Sequence, residues 1–181
     1  MRRPLDAGFT LIELLVVIAI IGIIAAIAVP GLLRARVAGN EASAIASLRT
    51  VNSSQQAYMT SCGHGYYAST LLILLDPAPT GDGFISPDLA TGTTVSKSGY
   101  RLEMKQGSEA VNALIDGCNP SGTAANLYTS YFANNKPLAI GTTGTRYFYT
   151  NLLGTVFQDN ADVFGGETVG TSKPAVGEPI Q

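Results

Sequence analysis

"DAGFTLIELLVVIAIIGIIAAIAVPGLL", residues 6–33, decides how the rest of the chain must be read. From Leu14 to Leu33 no residue is charged, and Leu, Ile, Val and Ala dominate. At about 1.5 Å per residue this run makes about 30 Å of helix, the thickness of a bilayer's hydrocarbon core. Glu13 stands at the entrance to this run, five residues after Gly8. A carboxylate inside hydrocarbon costs about 2.5–3.5 kcal/mol on insertion scales, so it usually marks a function and a nearby opposite charge.

Three readings fit the segment: a permanent membrane helix, a cleaved secretory signal, or a helix that sits in lipid only until it is packed elsewhere. Arg2 and Arg3, the apolar middle and Ala26-Ile27-Ala28 together make a signal-like pattern. Glu13 argues against it, as does a helical pattern that does not stop at Ala28. A twin-arginine signal has only Arg2-Arg3 in its favour. Arg34 and Arg36 lie beyond the span, but Arg2 and Arg3 precede it and set the expected orientation.

The pattern continues through "LLRARVAGNEASAIASLRTVNSSQQAYMTSC", residues 32–62, rich in helix formers. Ile45, Leu48, Val51 and Tyr58 recur at helical steps on one face, opposite Ser43, Arg49, Thr50 and Ser53. Glu41 and Gln55 fall near that stripe and make it imperfect. One helix from about 9 to 60 is expected, bent near Pro30, since a proline inside a helix removes one hydrogen bond and costs about 3 kcal/mol. Composition allows one domain behind it: of 181 residues, 46% are hydrophobic and only 13% charged. A net charge of −2 with scattered arginines speaks against nucleic acid as a partner.

"GFTLIELLVVIAIIGIIAAIAVPGLLRAR" closely resembles the N-terminus of type IV pilins and of the pseudopilins of type II secretion systems. The resemblance covers about residues 1–40. It implies a basic leader, Met1 to Gly8, cut between Gly8 and Phe9 by a membrane-embedded prepilin peptidase that also acts as methyltransferase on the new amine of Phe9. It further implies that Glu13 meets the Phe9 amine of a subunit already in a filament, which sets axial register. Cleavage creates that positive charge one turn from Glu13, at i, i+4. The alternative reading leaves Glu13 at the membrane edge, favoured by the helix N-terminus alone. In relatives the stretch matching Gly22 to Pro30 loses helicity when subunits pack. The implied partners are copies of the chain, other pilin-like subunits and an inner-membrane assembly platform. The implied location is the bacterial inner membrane, with the leader in the cytoplasm and the head in the periplasm, and then a pilus or pseudopilus.

Beyond Thr60 the composition turns to Gly, Thr, Ser, Asn and Pro. "YYASTLLILLDP" reads as a short helix or extended connector and "FISPDLATG" as a loop with a turn. "SGYRLEMKQG" alternates as a strand with one wet face. Further strands are expected at 127–133, 145–150 and 155–158, the last two joined by a turn at 151–154. Three or four antiparallel strands against the helical stripe make an α+β head on a long helical spine. The expected divisions are a leader at 1–8, a membrane and assembly segment at 9–33, a head at 34–164, and an exposed, mobile tail at 165–181, polar and rich in Gly and Pro.

Cys62 and Cys118 are the only cysteines. In an oxidising space they are expected to pair; two unrelated thiols are the alternative. His64, the sole histidine, lies two residues from Cys62 in "SCGHGYY", but no metal spacing accompanies it, and a solvent-facing loop residue is expected. "QDNADVF" offers Asp159 and Asp162 as oxygen ligands, and major pseudopilins carry a calcium-binding loop in their C-terminal region. The spacing does not reproduce a complete loop, and polar turn residues explain it equally well. No enzyme activity is expected. The leading function is a filament subunit; the alternative is an exported or membrane-anchored globular binding protein with an ordinary signal or anchor.

Overall fold

A computed structural model describes residues 8–79, 81–162, 170–171 and 173–180. Residues 1–7 of the expected leader, 80 and 163–164 of the expected head, and 165–169, 172 and 181 of the expected tail lie outside the described residues. In chain order the elements are α1 (Leu11–Ser61), β1 (Tyr67–Ala68), α2 (Leu71–Leu75), β2 (Thr94–Lys97), β3 (Tyr100–Gln106), β4 (Leu127–Tyr128), β5 (Tyr131–Pro137), β6 (Tyr147–Asn151), β7 (Val156–Asp159) and β8 (Glu178–Pro179). Short 3₁₀ turns occur at Pro87–Leu89 and Ala124–Asn126. The chain divides into two compact units, Met1–Arg36 and Val37–Gln181.

α1 passes through Pro30 without interruption. Because Pro30 has no N–H, the carbonyl of Ala26 lacks its usual helical donor. Within the second unit α1 buries Ala44, Leu48, Val51 and Tyr58 in the core and leaves Ile45 half-buried at its margin. Leu48 and Val51 each contribute about 1.5–3 kcal/mol by full burial. The two residues that blemished the stripe are also buried, because each has found a partner. The Gln55 amide donates to Ala68 O (2.7 Å) and accepts from Ala68 N (3.0 Å), while Glu41 is bonded to Thr145 and Arg146.

The main sheet is antiparallel, ordered β2-β3-β5-β6-β7-β8, with β1 and β4 forming a separate pair. The α+β class holds, with more strands among the described residues than the alternation suggested. β2 joins β3 through Ser98 and Gly99, both at positive φ (48° and 74°), as a tight twisted hairpin requires. The strand expected over 127–133 is two strands. Leu127 and Tyr128 pair with β1, then Thr129 bonds Val111 through both its N–H and its hydroxyl, and Tyr131 begins a strand of the main sheet. At 151–154 the expected turn forms: Asn151 accepts from Leu153 N and Gly154 N, and Gly154 takes φ +73°. Glu178–Pro179, expected within a free tail, instead pairs with β7 at the sheet's edge. One sheet face meets α1 through Leu102, Met104, Ala133 and Phe148. On the other face Phe132, Tyr147, Tyr149 and Phe157 form their own cluster.

Candidate functional site

Every residue from Gly8 to Arg36 is exposed, including the large apolar side chains from Phe9 (77%) to Leu33. α1 is long and apolar enough to cross a membrane. An apolar surface this continuous needs lipid or other helices to cover it. Gly22 lies within α1 with open space around it, eight residues before Pro30.

At the start of this surface Thr10 and Glu13 form a reciprocal pair. Glu13 Oε2 accepts from Thr10 N (2.9 Å) and from the Thr10 hydroxyl (2.6 Å), and Glu13 N donates to Thr10 Oγ1 (3.3 Å). This is the capping box, in which a Thr and a Glu three residues later satisfy the orphan N–H groups of a helix start. Sequence reasoning overlooked Thr10, although the Thr-x-x-Glu spacing just before an apolar run is the signal for it. The box turns the Glu13 carboxylate toward the helix start, where the Phe9 nitrogen lies.

In the second unit Cys62 and Cys118 form a disulfide, with Cα atoms 4.8 Å apart. Cys62 therefore offers no thiol to His64, which is exposed in the turn after α1 at φ 52°. Asp159 accepts from Ala161 N (2.9 Å) in a local turn, and Asp162 pairs with Lys136 (3.2 Å). An ion at those carboxylates would have to replace the Lys136 contact. Among the described residues no three His, Cys, Asp or Glu side chains gather as a metal site would require.

The most heavily bonded carboxylate is Glu41. Oε1 accepts from Thr145 N and Thr145 Oγ1 (both 2.8 Å), and Oε2 from Arg146 Nε (2.9 Å) and Nη2 (2.6 Å). Arg146 also donates to Gln158 (2.5 Å) and lies over the Phe148 ring, 5.6 Å from its centre. Burial pushes the Glu41 carboxyl up, but the Thr145 N–H, the Arg146 guanidinium and the Thr145 hydroxyl outweigh it and hold the group below its ordinary value. The clasp fastens α1 to the start of β6.

Comparison with known proteins bears on the same N-terminal surface. Residues 3–29 match the family model described as the prokaryotic N-terminal methylation motif. The type IV major pilin protein PilA of Myxococcus xanthus is 39% identical over 58 residues, 32% of this chain and 26% of that protein. The type IV wide pilus major component PilA4 of Thermus thermophilus is 51% identical over 51 residues, 28% of this chain and 39% of that protein. The chain thus spans between a quarter and two fifths of the length of these curated relatives. No solved structure matches significantly. The methylation motif opens the same helix that, further along, carries an antiparallel α+β head, and in this N-terminal segment the chain is similar to type IV pilins.

Proposed function

We propose that the chain is a structural subunit of a type IV pilus, made as a membrane-inserted precursor and polymerised through residues 9–33 after cleavage between Gly8 and Phe9. The observation that carries this reading is the exposed apolar surface from Phe9 to Leu33, interrupted by the Thr10–Glu13 capping box. Leaving lipid exposes that surface at about 25 cal/mol per Å², a cost offset only by packing the same surface against other copies. Both relatives are pilus components, which favours a pilus over a secretion pseudopilus. As a structural subunit the chain has no catalytic role. Its partners are the prepilin peptidase and methyltransferase, further pilin-like subunits and an inner-membrane assembly platform. The leader faces the cytoplasm and the head the periplasm.

Cleavage gives the exposed start of the helix an ammonium at Phe9. Glu13, turned toward it by Thr10, is then placed to pair with that amine in its own chain or in a neighbour, and exchange between the two sets the register of an incoming subunit. Mass spectrometry of the mature chain should find N-methylated Phe9 as the first residue. A chain beginning at Met1 or at Val29 would overturn the reading. A Glu13→Ala variant should still be cleaved and inserted but should fail to enter filaments, and assembly at the normal level would refute the docking role.

A further inference from the structure

Two apolar patches that the core does not use lie at opposite ends of the helical segment 37–61. At one end Cys118 N donates to Cys62 O (3.0 Å) and Ala113 N to Leu127 O (2.9 Å). Between these anchors Leu114 is 88% exposed, with Val111 and Ile115 also exposed beside it. Asp116 follows directly, one of its oxygens accepting from Ala124 N (2.6 Å). At the other end the Asn40 amide donates to Thr143 O (2.8 Å), and Leu138 N donates to Gly99 O (2.9 Å). The loop held there exposes Ile140 (62%) and Leu138. Arg101 and Lys136 line one shallow cavity with Leu138. Lys136 is paired with Asp162, whereas Arg101 has no ion pair among the described residues. From Asn40 to Cys62 the helix rises about 33 Å, so the patches are well separated.

We propose that these two ends meet between successive copies of the chain: Leu114 and Ile115 of one head pack on Leu138 and Ile140 of the next, with Asp116 opposite Arg101. The proposal rests on the filament reading above. Two considerations select a second copy as the occupant. The patches differ from each other, so a contact between them is head-to-tail and propagates along a row rather than closing into a pair. Their charges are also complementary, acidic beside one apolar group and basic beside the other, which fixes polarity and register more than strength. A contact of so few side chains is weak between free heads. It becomes effective when the helical spines already hold the copies side by side at high effective concentration.

The test uses the full chain expressed in place of its chromosomal copy. In sheared filaments the double variant Leu114→Cys/Ile140→Cys should give, without reductant, a ladder of covalent dimers, trimers and longer species. Each single variant should stay monomeric. Leu114→Asp and Ile140→Asp place a carboxylate at sites exposed in the monomer, so both should keep the monomer's thermal melting curve while filament yield falls at least tenfold. Normal filaments from both Asp variants would overturn the proposal, as would a Leu114→Cys variant that cross-links to itself, the mark of a symmetric pair. Assembled Cys-double filaments without a ladder would assign the patches to the membrane surface or the assembly platform and also refute it. Failure of the unsubstituted chain to form any filament would refute the polymerisation reading itself, and this contact with it.

Discussion

Replacing Glu41 tests whether the clasp between α1 and β6 stabilises the head. Its carboxylate accepts four hydrogen bonds, two of them from a guanidinium, and its side chain is only 6% exposed. Hydrogen bonds to charged groups are worth about 1.5–3 kcal/mol, and breaking a fully buried pair costs about 3–5 kcal/mol. Arg146 keeps 36% of its side chain in water and retains Gln158, so its stranded charge is partly solvated. Glu41→Ala should therefore cost about 2–3 kcal/mol, below the full buried-pair value. Arg146→Met, which leaves the nearly buried carboxylate with only Thr145, should cost about 3 kcal/mol. The double variant Glu41→Met/Arg146→Met should cost clearly less than the sum of the single changes, because it strands neither charge. The sequence has no Trp and eight Tyr, so urea unfolding of the detergent-solubilised full chain is best followed by tyrosine near-UV dichroism. The pH dependence has a definite sign. The folded-state value of Glu41 is lowered, so its stabilisation is complete above the unfolded carboxyl value, near 4.5, and is lost as pH falls below it. Glu41→Gln should flatten that acid limb. Strict additivity in the double variant, or single changes costing under about 0.5 kcal/mol, would refute the argument.

Two further outcomes follow from the head. The Cys62–Cys118 bond spans 56 residues and restrains the unfolded chain by about 4 kcal/mol in the chain-entropy model. Reduction, or the paired Cys→Ala change, should lower the urea midpoint accordingly; an unchanged midpoint would count against that account. Gln55 satisfies both backbone groups of Ala68 much as a neighbouring strand would, so Gln55→Leu should cost about 2–4 kcal/mol by leaving a buried donor and acceptor without partners. The same melts check it, and a change within error would contradict it.

What could be read in the sequence was what local pattern determines. The long helix shows in its apolar run and stripe, β3 in the clean alternation of Tyr100 to Lys105, and the 151–154 turn in its closing glycine. Glu41 and Gln55 looked like blemishes because their partners are distant in the chain: Thr145 and Arg146 for one, and for the other a backbone thirteen residues away that faces it only after folding. β2 is four residues long, and its only local signal is the Ser98-Gly99 turn beyond it. The break after Tyr128 depends on Val111 claiming Thr129, which no local pattern encodes. At the helix start the Thr10–Glu13 box is legible in the Thr-x-x-Glu spacing, whereas Glu13 alone reads as a partner for the Phe9 amine or as an acid favoured by the helix N-terminus.

The edges of the main sheet bear on how such heads can be stored. Proteins held by membrane anchors, or stacked in a fibre, meet at concentrations where any long bare strand would recruit another and zip the molecules together irreversibly. Here the sheet ends on one side in β2, four residues closing on Lys97, and on the other in β8, two residues ending in Pro179, which has no N–H to offer. Among the described residues neither border is long enough to template an amyloid-like partner. In the filament proposed above, heads would thus meet through side chains, in contacts that can form, exchange and come apart.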